Sequence, residues 1–561
     1  MELKTYSFDQ TGCELAGMEH RGKNWPVVYL IHNNSEIYVG ETNSFQNRFK
    51  QHLDNDERTS LTTISFVDDD EFNKSAVLDI EQNLIRLCSA DGKFRLQNKN
   101  AGQSGMHDYF QRNEYEKKIP VIWNLLNKEK LTIHSYEELI NSNLFKYSPY
   151  TAPTDEQNEV CFQVLEQILE SLQNNQNATS IVYGSAGTGK TVVAINIVHT
   201  LINMKLMNID VEDDENDKWK KLIAEWKKYV SEKKLPKIAF VVPMQALRET
   251  LGQVFVDVGG DSLGNVVISP NDVVKDDYDV VVVDESHRLR KRKNLTNYAI
   301  FDENCRKMGM DKNTANELDW IVKKSRHRVL FYDPAQSVKS SDVSKDEYEN
   351  SIKETNKKTF LLSSQMRCRG GEHYIDYVKS VFNLSCYEKK QVLNYEIKVY
   401  NDDLEMVNDI KKKDNAVGLC RVVAGFAWEW KTKKMSQAQK QECFDIEING
   451  HEYLWNDFNA KNWILSPNAV NEIGCIHTSQ GYDLNYVGII FGREIEWNES
   501  QNQFDINLDL YFDKKVKDAT PKDKVEEYII NAYRVMMTRG IKGCYMYACN
   551  PGMQKFLKKW F

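Results

Sequence analysis

The sequence predicts an α/β protein built on parallel sheets, and three observations predict that class. A glycine-rich segment, IVYGSAGTGKT at 181–191, joins a strand-like run to a helix-like run. Further along, the valines of VVVVDESH lead into two acids at 284–285. From residue 151 onward, apolar strand-length runs alternate with helix-length segments, which implies parallel strands joined by crossover helices. The first strand-like runs are 179–183, 237–242, 265–268, 279–283 and 328–332.

The same alternation divides the chain into domains. Residues 1–112 alternate short apolar runs with polar segments, which is typical of a small α/β domain. Residues 113–150 are predicted to form a helical connector that ends in a Ser-Pro-Tyr turn. A first parallel-sheet lobe is expected at 151–345. A second lobe is expected at 346–561, with strands from about 358 and an insertion around 422–470.

Composition limits the class of protein. At 561 residues, with 41% hydrophobic and 28% charged residues, the chain fits ordinary globular domains. It has no run of eighteen apolar residues and no secretory signal, and its eleven cysteines include no CxxC pair. We therefore expect a cytoplasmic protein with reduced thiols and no membrane partner, disulfide framework or zinc site. A net charge of −9 argues against a protein that is covered in nucleic acid, but it permits a local basic groove that binds a strand.

The glycine-rich segment has the spacing of a phosphate-binding loop. Its glycines let the backbone curl so that N–H groups face phosphate oxygens. Lys190 adds a charge near the terminal phosphates, and the Thr191 hydroxyl can reach Mg²⁺. The helix that follows directs its positive N-terminal end at the same anion. The predicted ATP-binding residues of this loop are Gly184, Ser185, Ala186, Gly187, Thr188, Gly189, Lys190 and Thr191.

The valine-rich strand carries the second part of the same site. It is predicted to be buried and to bring Asp284 to its exposed end, where the carboxylate can hold the metal. Glu285 lies beside it, in a position to polarise the attacking water. Together the two segments predict hydrolysis of a nucleoside triphosphate.

The order of the motifs resembles superfamily 1 helicases over roughly residues 150–561. The resemblance implies two RecA-like lobes with ATP between them. Gln157, in TAPTDEQNEV, would read the adenine edge, although a surface position on a helix is the alternative. LFYDPAQSV brings Asp333 and Gln336 to a strand end, where this superfamily senses the terminal phosphate. VVPMQALRETL at 241–251 is similar to the segment that touches the nucleic-acid backbone.

The resemblance also implies roles for residues of the second lobe. Arg367 in LSSQMRC and Arg539 in MMTRGIKG match phosphate-contacting arginines. Such arginines add charge at the transition state only when the lobes close, which couples hydrolysis to motion. The segment IHTSQGYDLNYVG is similar to the one that links nucleotide and nucleic-acid contacts through Ser479, Gln480 and Gly481.

Further segments narrow the resemblance to the Schlafen-like helicases of bacteria, which are often fused to a nuclease. They are RVVAGFAWEWKT at 421–432, EIGCIHTSQGYDLNYVG at 472–488 and NAYRVMMTRGIKGCYMYAC at 531–549. Two further features of the helicase-like part each allow two interpretations. The indoles of Trp428, Trp430 and Trp455 could stack on unpaired bases or belong to the core. The basic runs at 287–294 and 323–328 could follow a nucleic-acid track or form a solvated face.

The front of the chain reads as two antiparallel strands followed by a helix, in WPVVYLIHNNSEIYVGETNSFQNRFKQH. It resembles the GIY-YIG nucleases over about residues 25–110. The first family triplet is degenerate, Val-Val-Tyr at 27–29, and the second is Tyr-Val-Gly at 38–40. Arg48 and His52 lie one helical turn apart on the same face. Glu81 lies on a predicted helix, in VLDIEQNLIRLC, and Asn98 follows in a loop.

Phosphodiester hydrolysis needs the residue types found in this set. A metal must offset charge and activate water, and Glu81 is the obvious ligand for Mg²⁺ or Mn²⁺. A cation must stabilise the charge of the transition state, which suits Arg48. A tyrosine or histidine near the water can relay the proton, so Tyr29, Tyr38 and His52 are candidates. The alternative is an inactive nuclease fold that only binds DNA.

The sequence therefore predicts an ATP-dependent nuclease-helicase. Nucleic acid is the expected partner, DNA more than RNA, and a homo-oligomer or a partner protein of a defence system stays open. Resemblance to similar fusions suggests defence against phage or foreign DNA, with restriction or repair as neighbouring roles. The first alternative is an ATP-gated switch that binds nucleic acid without unwinding it. The second is an interaction protein whose front domain only binds DNA.

Overall fold

Three units follow one another along the chain in the computed structural model. We call them the front module (1–151), lobe 1 (153–364) and lobe 2 (368–561). The structure describes residues 1–98, 109–148, 150–151, 153–185, 187–203, 217–259, 264–295, 297–333, 341–353, 356–364, 368–435, 443–457, 463–479, 484–517 and 521–561. The predicted α/β class with two parallel-sheet lobes is confirmed.

The front module is built on a mainly antiparallel sheet. Its strands are β1 (Glu2–Ser7), β2 (Val27–His32), β3 (Glu36–Thr42), β4 (Thr63–Asp68) and β5 (Arg95–Leu96), in the order β1-β4-β2-β3-β5. Its first helices are α1 (Gln10–Ala16), α2 (Phe45–Leu53) and α3 (Lys74–Asp91). The apolar run of β2 is buried between helices, as its sequence requires. Helix α3 begins where the Asn73 side chain accepts from the Ala76 N–H, and it ends at Gly92, whose φ is +67°.

The segment predicted as a connector packs into the core of this sheet. It forms α4 (Arg112–Glu116), α5 (Lys118–Lys128), α6 (Tyr136–Asn141) and α7 (Asn143–Lys146). The side chain of Trp123 is fully buried, and its Nε1 donates to the carbonyl of His134 at 3.0 Å. The carboxylate of Asp91, at the end of α3, accepts from the backbone N–H groups of Ile133 and His134. These helices are therefore part of the front module.

Lobe 1 is a parallel sheet with helices between its strands. The strands are β6 (Ala178–Gly184), β7 (Ile238–Val241), β8 (Val267–Ile268), β9 (Tyr278–Val283), β10 (Ser325–Tyr332) and β11 (Lys357–Leu362), in the order β11-β6-β10-β9-β7-β8. The helices are α8 (Asp155–Gln173), α9 (Lys190–Asn203), α10 (Asp217–Glu232), α11 (Gln245–Gly259), α12 (Tyr298–Met308), α13 (Glu317–Lys324) and α14 (Lys345–Ser351). The valines of β9 are fully buried, because strands covered on both faces are apolar throughout.

One boundary differs from the expected one. The sequence predicts that the strand near 358 begins the second lobe, but β11 pairs in parallel with β6, from Lys357 opposite Thr179 to Leu362 opposite Gly184. The end of lobe 1 therefore lies beyond residue 345. Alternation of strands and helices predicts a parallel sheet, but it does not specify which of two sheets a strand joins.

Lobe 2 is a second, mostly parallel sheet. Its strands are β12 (Glu396–Val399), β13 (Cys420–Ala424), β14 (Ile446–Ile448), β15 (His451–Trp455), β16 (Glu472–Cys475), β17 (Leu484–Phe491) and β20 (Gly540–Ala548), in the order β12-β20-β17-β13-β16-β15-β14. A separate hairpin joins β18 (Ile495–Asn498) and β19 (Gln503–Ile506). The helices are α15 (Gly371–Phe382), α16 (Asp403–Val417), α17 (Ile476–Ser479), α18 (Lys514–Lys517), α19 (Lys522–Met537) and α20 (Pro551–Trp560). The predicted insertion supplies the edge strands β14 and β15.

The front module contacts both lobes. On the lobe 1 side, the rings of Tyr150 and His199 meet edge to face with centroids 5.8 Å apart. On the lobe 2 side, Asn485 Nδ2 donates to Asn141 Oδ1 at 3.1 Å. No helix among the described residues is long and apolar enough to cross a bilayer. Within the same residues, no disulfide joins the cysteines.

Candidate functional site

The predicted phosphate loop lies between β6 and α9. Gly187 and Gly189 have φ of +90° and +80°, a backbone region that favours glycine. A Cβ on Gly184 would lie 2.4 Å from Thr188 Oγ1, and one on Gly189 would lie 2.2 Å from Gln157 Nε2. The loop therefore requires glycine both for its dihedral angles and for close packing.

The charged and hydroxyl groups of the loop converge on the end of β9. Lys190 Nζ donates to the carbonyls of Gly184 and Ser185, at 2.8 and 2.9 Å. The same ammonium lies 3.6 Å from Asp333 Oδ2. Thr191 Oγ1 donates to Asp284 Oδ2 at 2.7 Å, so these two oxygens are within reach of one hard cation. The residues present therefore fit a magnesium ion beside bound ATP.

The two acids at the end of β9 have opposite electrostatic environments. Burial and the adjacent Glu285 raise the pKa of Asp284. Burial acts to raise the pKa of Glu285 as well, but His287 and Arg288 hold it well below its usual value. Arg288 Nε donates to Glu285 at 2.7 Å, and His287 Nε2 lies 3.2 Å from the same oxygen. Glu285 is therefore an ionised carboxylate at neutral pH, as a residue that polarises water must be.

His287 is a functional candidate that the sequence did not single out. It is fully buried, and its Nδ1 accepts from the backbone N–H of Asp333 at 3.4 Å. It thus joins Glu285 to the end of β10. In the sequence, the available signal was the position of His287 at the end of VVVVDESH. A single histidine is more often structural.

Gln157 is buried against the phosphate loop and not on the surface. Its Nε2 donates to the carbonyl of Thr188 at 3.0 Å, and its Oε1 accepts from the N–H of Thr154 at the start of α8. The surface alternative is therefore excluded, while contact with adenine stays a prediction. Five predicted residues lie outside the described part of the chain: Ala186, Gln336, Arg367, Gln480 and Gly481.

The second-lobe residues that are described lie next to secondary-structure ends, Arg539 just before β20 and Ser479 at the end of α17. Arg539 immediately precedes β20, its side chain is 1% exposed, and its carbonyl accepts from the N–H of Leu484. Ser479 is fully buried, and its hydroxyl donates to the carbonyl of Cys475 at 3.1 Å. Both residues are thus anchored where the loops of this lobe begin, and their roles toward nucleotide stay predictions.

Burial decides whether the tryptophans of lobe 2 stack on bases or belong to the core. Trp455 and Trp428 are 2% and 8% exposed, and Phe426 stacks on Trp455 with centroids 5.7 Å apart. These two indoles are core residues of lobe 2 and are not available to stack on bases. Trp430 is half-buried at the edge of the same cluster.

The basic run at 287–294 is paired with acids inside lobe 1. The pairs are Arg288 with Glu285, Arg290 with Glu317, Lys291 with Glu347, and Arg292 with Asp302. In the run at 323–328, Arg328 is fully buried and donates to the carbonyl of Ala178. These charges are used in internal contacts, which does not support a nucleic-acid track along either run.

The front site brings four predicted residues together around one phenol. Tyr29 is 1% exposed, and its hydroxyl lies 2.8 Å from His52 Nε2. Arg48 Nε donates to the same hydroxyl at 3.3 Å. The ring of Tyr38 meets the ring of His52 edge to face, at 5.1 Å between centroids. Tyr29, Tyr38, Arg48 and His52 thus form one cluster on β2, β3 and α2.

The close approach of Tyr29 depends on Gly40. The two residues are opposite each other in the β2–β3 pair, and a Cβ on Gly40 would lie 2.3 Å from Tyr29 Oη.

Burial, then the cations Arg48 and Arg58, lower the pKa of His52 to about 3. His52 is therefore a neutral imidazole, and burial raises the pKa of Tyr29, so the two groups share a hydrogen bond in which the phenol keeps its proton. Arg58, whose guanidinium lies 4.0 Å from the centre of the Tyr38 ring, was not predicted from the sequence.

Glu81 lies on α3 at the edge of this cluster. Burial, then the nearby carboxylate of Glu41, raise the pKa of Glu81 to about 8. Lys74 is bonded to Glu41 at 2.6 Å. A divalent cation beside Glu81 would offset the repulsion between the two acids, so the residues present fit a metal. Glu41 was missed, although it directly follows the Tyr-Val-Gly triplet.

Asn98 has a different position from the rest of the set. Its Oδ1 accepts from the N–H of Val39 at 3.0 Å, and its Nδ2 donates to the carbonyl of Val39 at 2.8 Å. The side chain thus binds the middle of β3 as a neighbouring strand would. Its contact is with the backbone that carries Tyr38 and Gly40.

Comparisons with known proteins give two family matches and one related sequence. Residues 177–550 match the family model described as Schlafen group 3, DNA/RNA helicase domain, and residues 26–90 match the GIY-YIG catalytic domain. An uncharacterized protein of Saccharomyces cerevisiae is 22% identical over 414 residues, which cover 68% of this chain and 84% of that protein.

Two solved structures are similar at low scores. Pif1 helicase from Candida albicans is 12% identical, with a TM-score of 0.26, over 72% of this chain and 99% of that one. Pif1 helicase from Bacteroides, in complex with ADP-AlF3 and ssDNA, is 12% identical, with a TM-score of 0.23, over 68% of this chain and 91% of that one.

Proposed function

The chain belongs to the Schlafen group 3 DNA/RNA helicases and carries a GIY-YIG catalytic domain, and from this premise we propose that its motor delivers DNA to its own nuclease. Both resemblances drawn from the sequence are thereby confirmed. One chain joins an ATPase of the helicase class to an endonuclease. The fusion keeps the nuclease at a high local concentration on the strand that the motor engages.

The observation that carries the proposal is the assembled front site. The hydroxyl of Tyr29 lies between His52 Nε2, at 2.8 Å, and Arg48 Nε, at 3.3 Å, with the buried carboxyl of Glu81 nearby. Burial and the neighbouring Glu41 disfavour the ionised form of Glu81, so keeping this carboxyl buried costs stability, and a fold that only binds DNA would gain nothing from that cost. The arrangement therefore favours a working nuclease over a binding module.

The front residues would divide the work of cleavage. Glu81 would hold a divalent metal, Mg²⁺ or Mn²⁺, which when bound supplies charge to the scissile phosphate. Arg48 stabilises negative charge as it develops on the phosphate oxygens. His52 and Arg48 would hold the hydroxyl of Tyr29 in place to hydrogen-bond and orient the attacking water, while Tyr38 packs against the imidazole and orients it.

The motor residues would follow the roles that superfamily 1 helicases assign to them. Lys190 contacts the terminal phosphates, Thr191 and Asp284 hold Mg²⁺, and Glu285 orients the attacking water. The remaining proposed nucleotide contacts are Gln157, Gln336, Arg367, Gln480, Gly481 and Arg539. Arg539 and Arg367 would complete the site from lobe 2 when the lobes close, which makes hydrolysis depend on movement.

We extend the proposal to the biological setting. The resemblance to bacterial fusions of a nuclease with a Schlafen-like helicase supports DNA as the substrate and defence against phage or foreign DNA as the role. An ATP-gated switch that binds without unwinding is the competing function. Displacement of a labelled strand from a duplex separates the two, because only a translocating motor releases the strand.

A comparison of two variants tests the coupling. Glu81→Ala should abolish cleavage of plasmid, linear duplex and single strands, and leave DNA-stimulated ATPase unchanged. Lys190→Ala should lose ATPase and cleavage of long duplexes, and retain cleavage of short accessible strands. The exposed Glu14→Ala and Lys228→Ala are the matched controls. Cleavage of long duplexes by Lys190→Ala at the wild-type rate would show that the motor does not deliver the substrate.

A further inference from the structure

A buried ring contact joins the phosphate-loop helix of the motor to the front module. Tyr150, which packs in the front core, and His199, on α9, are 4% and 7% exposed. Their rings meet at 67° with centroids 5.8 Å apart. Burial lowers the pKa of His199 to about 4, so the contact involves a neutral imidazole at physiological pH. Displacement of α9 must therefore press on or release Tyr150, because the interior between them is close-packed.

The phenol of Tyr150 connects this ring contact to the nuclease site. Its Oη donates to the backbone carbonyl of Asn98 at 3.3 Å. The amide side chain of Asn98 binds both the N–H and the carbonyl of Val39, at 3.0 and 2.8 Å. Tyr150 thus sets the position of the residue that anchors the middle of β3.

The next residue of β3 lies directly under the reactive phenol. Gly40 approaches Tyr29 so closely that a single added carbon would lie 2.3 Å from Tyr29 Oη. That oxygen contacts both His52 and Arg48. A small shift of β3 at Val39 therefore moves the phenol relative to its two partners.

We propose that Tyr150 is a positioning residue for the nuclease, through which the nucleotide state of the motor sets the geometry of the cleavage site. This inference rests on the proposed function, and it adds a regulatory path that runs inside the chain. Its input is α9, whose first residues are Lys190 and Thr191. Its output is β3. The path consists of His199, Tyr150, Asn98, Val39 and Gly40.

The geometry of α9 makes it a suitable input. His199 lies nine residues beyond Lys190, about 14 Å along a rigid helix. The front module is also bound to lobe 2, where Asn485 Nδ2 donates to Asn141 Oδ1 and Asn141 Nδ2 donates to the carbonyl of Val417. Because the front module is attached to both lobes, a movement of one lobe relative to the other must apply force to it. The contact with α9 is therefore a point at which lobe closure reaches the nuclease.

The test compares two Tyr→Phe variants of the same core. Tyr150→Phe keeps the ring against His199 and removes the bond to Asn98. Tyr115→Phe is the control from the same core: its buried phenol donates to the carbonyl of Glu71 at 2.6 Å and accepts from Asn73 Nδ2 at 3.1 Å, so it loses two bonds, neither of them to Asn98. Single-turnover cleavage of a short, accessible DNA is measured with Mg²⁺, with and without a non-hydrolysable ATP analogue.

We expect the analogue to change the cleavage rate of the wild-type protein and of Tyr115→Phe. Tyr150→Phe should lose that response and cleave about two- to tenfold more slowly, as expected for one neutral hydrogen bond, with the KM for DNA unchanged. His199→Ala should lose the response as well, and His199→Phe, which keeps a ring, should restore it. An undiminished response in Tyr150→Phe, or an equal loss in Tyr115→Phe, would overturn the proposal.

A second readout does not depend on cleavage. Hydrogen exchange at the Val39 amide, which donates to Asn98, should respond to the analogue in the wild type and not in Tyr150→Phe. If the wild-type protein cleaves nothing, the proposed function fails, while the exchange result still decides the coupling. Equal exchange with and without the analogue would refute the path.

Discussion

Replacing Gly40 by alanine should disable the nuclease without touching the motor. In the β2–β3 pair Gly40 lies opposite Tyr29, and the added Cβ would lie 2.3 Å from Tyr29 Oη and 2.4 Å from Cζ. Carbon atoms pack at about 3.5–4.0 Å, so the ring would have to move by more than about 1 Å. Tyr29 is 1% exposed and packs against Phe45, so it has no free space to enter.

Two effects follow from this displacement. Overpacking of a core costs about 1–3 kcal/mol of folding free energy, which should appear as a lower unfolding temperature of the front module. The phenol would also leave His52, now 2.8 Å away, and a misplacement of about 1 Å can reduce a rate about a hundredfold. Single-turnover cleavage should therefore fall by about that factor, while DNA-stimulated ATPase stays at the wild-type value.

Gly92→Ala is the control for this experiment. Gly92 has φ of +67° with nothing within 4 Å of an added Cβ, so alanine there adds strain of about 1–2 kcal/mol without a clash. That variant should lose stability and keep cleavage. Wild-type cleavage by Gly40→Ala, or an equal loss in Gly92→Ala, would refute the reasoning from Tyr29.

Two further predictions concern the acids. Because burial and Glu41 raise the pKa of Glu81 to about 8, its carboxyl is protonated below that pH and must lose a proton to bind metal. Metal affinity measured by calorimetry should therefore fall about tenfold per pH unit below pH 8, and a flat profile would contradict a role for Glu81 as ligand. In the motor, Glu285→Gln should keep ATP affinity and lower turnover by about a hundredfold or more, since the amide keeps the shape but loses the charge bonded to Arg288. Unchanged steady-state ATPase would remove Glu285 from the reaction.

The parts of the fold and site that were predictable depend on local geometry. The phosphate loop was located because the spacing from Gly184 to Thr191 itself imposes a turn between strand and helix. The buried β9 was visible as an uninterrupted valine run. Arg48 and His52 were placed together because one helical turn separates them. In each case the structural constraint lies within a few residues of sequence.

The parts that were not predictable depend on partners far apart in the chain. The basic run at 287–294 could not be interpreted without Glu317, Glu347 and Asp302, which neutralise it. The indole of Trp455 could belong to a core or to a binding face until its neighbours were known. Glu41 looked like an ordinary strand acid, because its effect on the pKa of Glu81 acts across two elements.

The packing of α5 decides how the two activities could be exchanged between proteins. A nuclease fragment cut at residue 112 would leave behind Trp123, whose burial alone is worth about 4 kcal/mol. Such a fragment would expose an apolar face and tend to aggregate. A fragment that runs to residue 151 keeps that face covered and takes Tyr150 with it. Grafted onto another motor, it would bring the whole cleavage site with it but would need an aromatic partner in the place of His199 to respond to ATP.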